Sequence, residues 1–381
     1  MYKSFEIKNY KCFEHLKLEN LARVNLIAGK NSVGKSALLE ALYLHCDGHN
    51  PRILYLLKRL SGYRRFGFGA LHRVLGSRTR SSEPMDHQAV LSEFFRDFNV
   101  EDPIELRSTD GLHEERVFKI AMAPKGGEVS TFEPPPYETE APAADEPDAS
   151  TSYRDMAVEK RTVLLAESQE PSGVGRYELV SKGDEIEVVP RPPSHAVLAY
   201  RRGGIITFDQ SEDAELFSKL VKQGREGFAL EALKKLEPRL ERLEVLIESG
   251  VALIHGQVRL RQPIPLAWMG DGVVRFADVL LLFTKTENGV VLLDEIENGL
   301  HYTVLEDVWR AIAEAARVFN VQVFATTHSF ECIEAAHRAF RGEHANEFRL
   351  LRLERVKGKI RAFDYDPDVL EAAIQMNAEV R

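Results

Sequence analysis

Apolar residues alternate with polar ones near the start of the chain, in Phe5-Glu6-Ile7 and again in Leu16-Lys17-Leu18, which predicts two half-buried strands. Val24–Ala28 is a short apolar run of the kind a fully buried strand carries, and a Gly-rich turn follows it. Leu38, Leu39, Ala41 and Leu42 then recur at helical spacing and predict a helix over Ala37–Cys46. Further along, Pro103–Leu106, Arg116–Ala121, Tyr177–Val180 and Glu185–Val189 read as short strands of an antiparallel region. Leu233, Leu236, Leu240, Leu243 and Leu246 recur at threes and fours, so the whole span from Asp213 to Glu248 reads as helical. The last third alternates again: helix Val273–Phe283, strand Val290–Leu293, helix Val304–Val318, strand Val321–Ala325. The pattern is α/β, with one domain assembled from residues 1–50 and 250–381 and an insertion between them over 51–249.

Composition changes this picture in two places. Arg52–Arg80 carries Arg52, Lys58, Arg59, Arg64, Arg65, Arg73, Arg78 and Arg80 and no acidic residue, in a chain whose net charge is −9. Residues 127–150 are the opposite, with Glu128, Glu133, Glu138, Glu140, Asp145, Glu146 and Asp148 among five prolines and no Lys or Arg. Such a stretch cannot bury enough apolar surface to offset its ordering entropy, which predicts a mobile loop. The three cysteines, Cys12, Cys46 and Cys332, lie too far apart in sequence to suggest a zinc site or disulfide framework. The N-terminus has no apolar signal region, and no apolar run is long enough to span a bilayer, so a cytoplasmic location is expected.

The chemistry sits at the predicted strand ends. Gly29-Lys30-Asn31-Ser32-Val33-Gly34-Lys35-Ser36 matches G-x-x-x-x-G-K-S without a gap, between a strand and a helix. The glycines let backbone N–H groups curl around a phosphate; Lys35 supplies charge to the β- and γ-phosphates, and the Ser36 hydroxyl is a ligand for Mg²⁺. Val290–Leu293 ends in Asp294-Glu295, which puts carboxylates at the C-terminal edge of a buried strand, where open α/β sheets bind ligands. There Asp294 is expected to hold Mg²⁺ through water, and Glu295 to polarise the attacking water. The strand Val321–Ala325 ends in Thr326-Thr327-His328-Ser329, and His328 is a candidate contact for the γ-phosphate, the alternative being a cap on the next helix.

These three pieces, in this order, resemble the ABC class of ATPases, and in particular the OLD-type (overcoming lysogenization defect) ATPases related to RecF and the SMC proteins. The likeness is carried by Ile7–Phe13, the Gly29–Ser36 loop, Met269-Gly270-Asp271-Gly272-Val273-Val274-Arg275, Leu293–His301 and Ala325–Ser329. It implies an ABC-type head, a mixed sheet with flanking helices plus an antiparallel β subdomain, carrying an inserted and partly helical lobe. It implies ATP and Mg²⁺ as ligands, with Lys11 contacting the nucleotide from the first strands and His328 as the switch histidine. Gly270, Asp271 and Gly272 correspond to the signature segment that meets the nucleotide of a second subunit, although Met269 stands near the place of the family's serine. Glu297–His301 corresponds to the loop that meets its counterpart across such a dimer, and Gln88 is the candidate for the Q-loop.

OLD nucleases continue into a Toprim domain, whereas only about fifty residues follow His328, so a separate nuclease is expected. Asp364-Tyr365-Asp366-Pro367-Asp368 reads as a turn before a helix over Val369–Met376. The resemblance implies an ATP-gated homodimer controlling a separate effector, plausibly a nuclease in anti-phage defence. The alternative is a RecF-like DNA-binding ATPase with Arg52–Arg80 on the DNA; no membrane contact is expected.

Overall fold

The computed structural model describes residues 1–46, 54, 87–124, 160–171, 173–182, 185–190, 198–201, 210–376 and 378–380. The acidic segment 127–150 and, except for Leu54, the basic stretch Arg52–Arg80 lie outside them. Two large sheets dominate the described residues. The first has the strand order β2-β1-β4-β5-β6-β7-β8 and is antiparallel throughout. Its strands are β1 (Tyr2–Tyr10), β2 (Phe13–Leu18), β4 (Ile104–Asp110), β5 (Glu115–Met122), β6 (Lys160–Glu170), β7 (Gly173–Lys182) and β8 (Glu185–Val189). The strands expected in the middle of the chain therefore continue the sheet begun by its first residues.

The second sheet has the order β16-β15-β3-β14-β13-β9. It contains β3 (Val24–Ala28), β9 (Leu198–Arg201), β13 (Val290–Leu293), β14 (Gln322–Thr326), β15 (Phe348–Val356) and β16 (Lys359–Tyr365), all parallel except β16. Both faces are covered, which is why its central strands read as continuous apolar runs. On β3, Val24, Leu26 and Ala28 face one core and Ile27 the other; on β14, Val323 and Ala325 oppose Phe324 in the same way. Helix α1 (Lys35–Cys46) fills the space between the sheets, packing Leu38, Leu39 and Leu42 with Phe5, Ile7, Phe13, Leu292 and Phe324. Short helix α2 (His87–Ser92), which carries Gln88, adds Val90 and Leu91 to that core.

The other face is covered by α3 (Gln210–Lys222), α4 (Glu226–Lys234), α5 (Asp271–Lys285), α6 (Leu305–Val318), α7 (Phe330–Ala339) and α8 (Pro367–Gln375). In α6, Leu305, Val308, Trp309, Ile312 and Ala316 recur at threes and fours and are all buried, with Trp309 completely so. Asp366 caps α8 by accepting from the Val369 N–H at 2.8 Å, so the Asp364–Asp368 cluster is the helix-initiating turn expected of it. No helix of the described residues is long and apolar enough to cross a membrane.

One expectation fails. The helical reading of Asp213–Glu248 holds only as far as Lys234; Leu240, Leu243 and Leu246 lie in β10 (Leu240–Glu248), which pairs antiparallel with β11 (Val251–Val258) and, through it, with β12 (Ile264–Pro265). Pro238 lacks the N–H that a continuing helix requires, and the Glu237 carboxylate closes the turn on the Arg239 backbone and guanidinium. Leu240 of β10 is buried in the core, and Leu243 and Val245, two apart, pack against it; Leu246 and Ile247 are exposed.

A buried side chain ties the two sheets at the start of β14. Gln322, at the start of β14, is 1% exposed; its Oε1 accepts the Tyr2 N–H at 2.8 Å, and its Nε2 donates to Tyr2 O at 2.9 Å and Ala22 O at 2.8 Å. Leucine there removes this partner from the Tyr2 N–H, Tyr2 O and Ala22 O, of which Ala22 O keeps the Asn25 amide at 2.8 Å. We expect Gln322→Leu to lower the unfolding free energy by about 2–5 kcal/mol, read from urea denaturation midpoints at unchanged m-value.

Candidate functional site

Three parallel strands, β3, β14 and β13, end side by side, and their C-terminal ends carry the three motifs. After β3 the chain turns through Gly29 (φ +149°), Ser32 (φ +64°) and Gly34 (φ +93°) before α1 begins at Lys35. The glycines are needed for space as well as for backbone angle. A Cβ on Gly29 would lie 2.7 Å from Leu353 O of β15, and one on Gly34 would lie 2.6 Å from Cys12 Sγ. The loop is thus pressed between β15 and the β1–β2 turn, with its N–H groups and the α1 N-terminus left to serve an anion. Lys30, Asn31 and Ser32 are exposed and Val33 is buried beneath them.

Lys35 is buried and donates to Gly29 O at 2.6 Å and Lys30 O at 3.1 Å, so its ammonium is held inside the loop. Burial lowers its pKa, and the carboxylates of Asp294, Glu295 and Glu297 act against that shift. These acids outnumber the lysine. A polyphosphate entering here needs a cation with it, and Mg²⁺, which favours a few hard oxygen ligands plus phosphate, fits the donors present. Ser36 Oγ donates to Asp294 Oδ2 at 2.9 Å, so a hydroxyl and a carboxylate, the two expected metal ligands, adjoin at the loop end.

Asp294 is 7% exposed, and its other oxygen accepts from Thr326 Oγ1 at 2.5 Å. The same Thr326 hydroxyl accepts the Glu295 N–H at 2.8 Å, which helps hold Glu295 in a left-handed conformation at φ +52°. Glu295 Oε2 accepts from Asn298 Nδ2 at 2.6 Å. Thr326 thereby links the two acidic residues. In the sequence Thr326 is one polar residue among several, marked only by its place at the end of a buried strand beside Asp294.

His328 follows on the same strand end, and its ring Nδ1 lies 3.1 Å from Glu297 Oε1. Ser329, not His328, caps α7, accepting from the Cys332 N–H at 3.0 Å. Lys11 lies on the β1–β2 turn, ion-paired with the buried Glu40 of α1 and 5.1 Å from the Phe94 ring centroid, so its charge is already engaged within the protein. Gly270 (φ +104°) is the N-cap of α5, with Asp271 in the first turn. A Cβ on Gly272 would lie 3.0 Å from Gly299 O, and one on Gly299 would lie 2.7 Å from Arg275 Cδ. The start of α5 and the loop after Glu297 are therefore packed backbone to backbone.

We expect Thr326→Val, nearly isosteric, to lower stability by about 1–3 kcal/mol by stripping partners from Asp294 and the Glu295 N–H. Nucleotide turnover should fall with it, while Thr326→Ser retains most of both. Paired thermal melts and phosphate-release assays of the two variants check this.

Over residues 24–334 the chain matches the family described as "AAA domain, putative AbiEii toxin, Type IV TA system". It is 22% identical over 374 residues to an ATP/GTP phosphatase of Helicobacter pylori, covering 90% of this chain and 89% of that protein. It is 52% identical over 56 residues to the uncharacterized protein MJECL10 of Methanocaldococcus jannaschii, covering 15% of this chain and 26% of that one. Among solved structures, 98% of the chain aligns with 99% of an SMC head bound to the C-winged helix domain of ScpA, at 13% identity and a TM-score of 0.49. The SMC head domain from Thermotoga maritima aligns at 12% identity and a TM-score of 0.43, over 96% of this chain and 98% of that one. Since the family match spans well over half of the 381 residues, the chain belongs to this family of AAA-domain ATPases.

Proposed function

We propose that the protein binds Mg²⁺·ATP at the ends of β3, β13 and β14, hydrolyses it, and uses the cycle of dimer closure and opening to control a separate effector. The observation that carries the reading is the Ser36–Asp294–Thr326–Glu295 chain of hydrogen bonds, which joins a phosphate loop to two carboxylates at one sheet edge. Mg²⁺, held by Ser36 and Asp294, would neutralise charge developing on the phosphates. Loop N–H groups and Lys35 bind the phosphates, Glu295 orients and deprotonates the attacking water, and His328 contacts the γ-phosphate. The ATP/GTP phosphatase name of the Helicobacter pylori relative agrees with hydrolysis.

The dimer half of the proposal rests on α5. Its N-terminus at Gly270–Gly272 offers backbone N–H groups to an anion and carries no side-chain cap. Packing of Gly272 on Gly299 ties that end to the loop bearing Glu295 and Glu297. A nucleotide held by a second copy against α5 would therefore be felt at the first copy's carboxylates. An effector nuclease in a defence or toxin–antitoxin setting is the role we assign to the output, consistent with the Type IV TA system in the family description. The RecF-like alternative, with DNA on Arg52–Arg80, is motivated by the eight cations there without an acid.

We expect Lys35→Ala to lose turnover by roughly 100-fold or more, since a preorganised phosphate donor is removed. Glu295→Gln should bind Mg²⁺·ATP yet turn over about 10²–10⁴ times more slowly, as expected for loss of a general base. It should also elute as an ATP-dependent dimer on size exclusion with light scattering. Wild-type turnover by either variant, or a monomer with ATP in Glu295→Gln, contradicts the corresponding half of the proposal. Labelled duplex titrated at two salt concentrations addresses the alternative. Salt-sensitive binding lost in Arg64→Glu/Arg65→Glu supports DNA as the output; no binding at low salt removes it.

A further inference from the structure

The acids of the site lie on one flank of the phosphate loop. Asp294 and Glu295 leave β13, which lies beyond β14, whereas β15 borders β3 on the opposite flank. There Leu353 O abuts Gly29, so β15 reaches the level of the loop. Successive side chains of a strand take opposite faces, and residues two apart share one. Leu351 and Leu353 both enter the core that holds Val33 of the loop and Phe13 of β2. The next position of that row is Arg355. Its cross-strand partner on β16, Ile360, belongs to the same core. A row that is apolar inside the protein thus turns cationic where it emerges beside the phosphate loop.

Arg355 is exposed, and no carboxylate among the described residues pairs with it; its Nη1 donates to Gly358 O at 3.4 Å. The other arginines of β15 are committed. Arg349 lies 4.0 Å from Asp364 Oδ1, and Arg352 lies 3.2 Å from Glu354 Oε2 and donates to Glu379 O at 2.7 Å. Other cations near the β1–β2 turn are engaged too: Lys11 by Glu40, Lys359 by Glu14 at 2.8 Å and Arg96 by Asp97 at 3.1 Å. Cys12, the residue that a Cβ on Gly34 would strike, feels where the Arg355 charge falls. Burial pushes its thiol up, and Arg355 leads the neighbouring cations that act against that shift.

We infer that Arg355 is a second cationic ligand of the nucleotide, meeting the α- and β-phosphates on the flank of the loop away from the carboxylates. The inference deepens the ATPase reading and rests on it. Glu295 faces the attacking water, so the γ-phosphate lies towards β13 and the remainder of the nucleotide extends towards β15. With Asp294, Glu295 and Glu297 gathered around Lys35, the phosphates stay short of positive charge even when Mg²⁺ is counted. An unpaired guanidinium supplies it, and its planar fork can donate to two phosphate oxygens at once.

The test is the affinity of the full chain for Mg²⁺·ATP and for Mg²⁺·ADP, by isothermal titration calorimetry, in wild type, Arg355→Gln and Lys357→Gln. Both substituted side chains are exposed, so thermal melts should match wild type. Arg355→Gln should bind both nucleotides about 10-fold more weakly, the scale of one charge-assisted hydrogen bond. KM for ATP should rise with it while kcat changes less, as for a contact made equally in ground and transition states. Lys357→Gln removes a cation from the turn of the same hairpin and should stay within about twofold of wild type, as expected of a solvated charge. Wild-type affinity in Arg355→Gln overturns the inference. So does a loss confined to ATP, because the cation would then serve the γ-phosphate. An equal loss in Lys357→Gln also overturns it, because only the general field of the hairpin would be at work. A wild-type protein that binds neither nucleotide instead removes the ATPase reading itself.

Discussion

A carboxylate can be buried at the end of a sheet only if its oxygens are satisfied, and that demand on Asp294 organises the site. One oxygen is served by Ser36, the first hydroxyl of α1; the other is served by Thr326, the last residue of β14. Meeting both requires β13 and β14 to stop at the same level and the phosphate loop to arrive above them. It also requires the Thr326 hydroxyl to point towards β13, where it reaches the Glu295 N–H as well. Alignment of the three motifs is thus a hydrogen-bond requirement of one buried charge as well as a product of strand pairing.

Surrounding structure reinforces that alignment by close backbone approach. The β1–β2 turn presses Cys12 and Phe13 against Gly34, and β15 brings Leu353 O against Gly29, so the loop has little freedom to open. The glycine contact between α5 and the loop after Glu297 does the same on the other flank. Rigid neighbours of this kind make a site preorganised for a phosphate, with its donors fixed before the ligand arrives.

Much of this was legible in the sequence because it depends on local chemistry. The phosphate loop, the acidic end of β13 and the polar end of β14 are each contiguous, and each sits on an element whose periodicity is plain. Harder to read were features set by partners remote in sequence. Leu240, Leu243 and Leu246 fit a helical spacing as well as a strand, and the decisive residue was Pro238, with Leu243 and Val245 marking the buried face. The hairpin β15–β16 and the edge strand β9 were not anticipated; β9 has only four residues, and its place follows from pairing with β13. The pairing of Lys11 with Glu40, and of Glu297 with His328, joins residues 29 and 31 positions apart, for which a single sequence carries no signal.

The place of β3 between β14 and β15 has a consequence for how the protein is made. The strand that leads into the phosphate loop leaves the ribosome well before its partners, both of which lie some three hundred residues downstream. At about 5–20 residues per second, β3 waits on the order of 15–60 s with Leu26 and Ile27 unpaired and no sheet to enter. The β1–β2 hairpin can form at once, but the nucleotide site cannot exist until β13 and β14 have emerged. While those three hundred residues are made, the nascent chain carries its most recognisable motif without any means of using it.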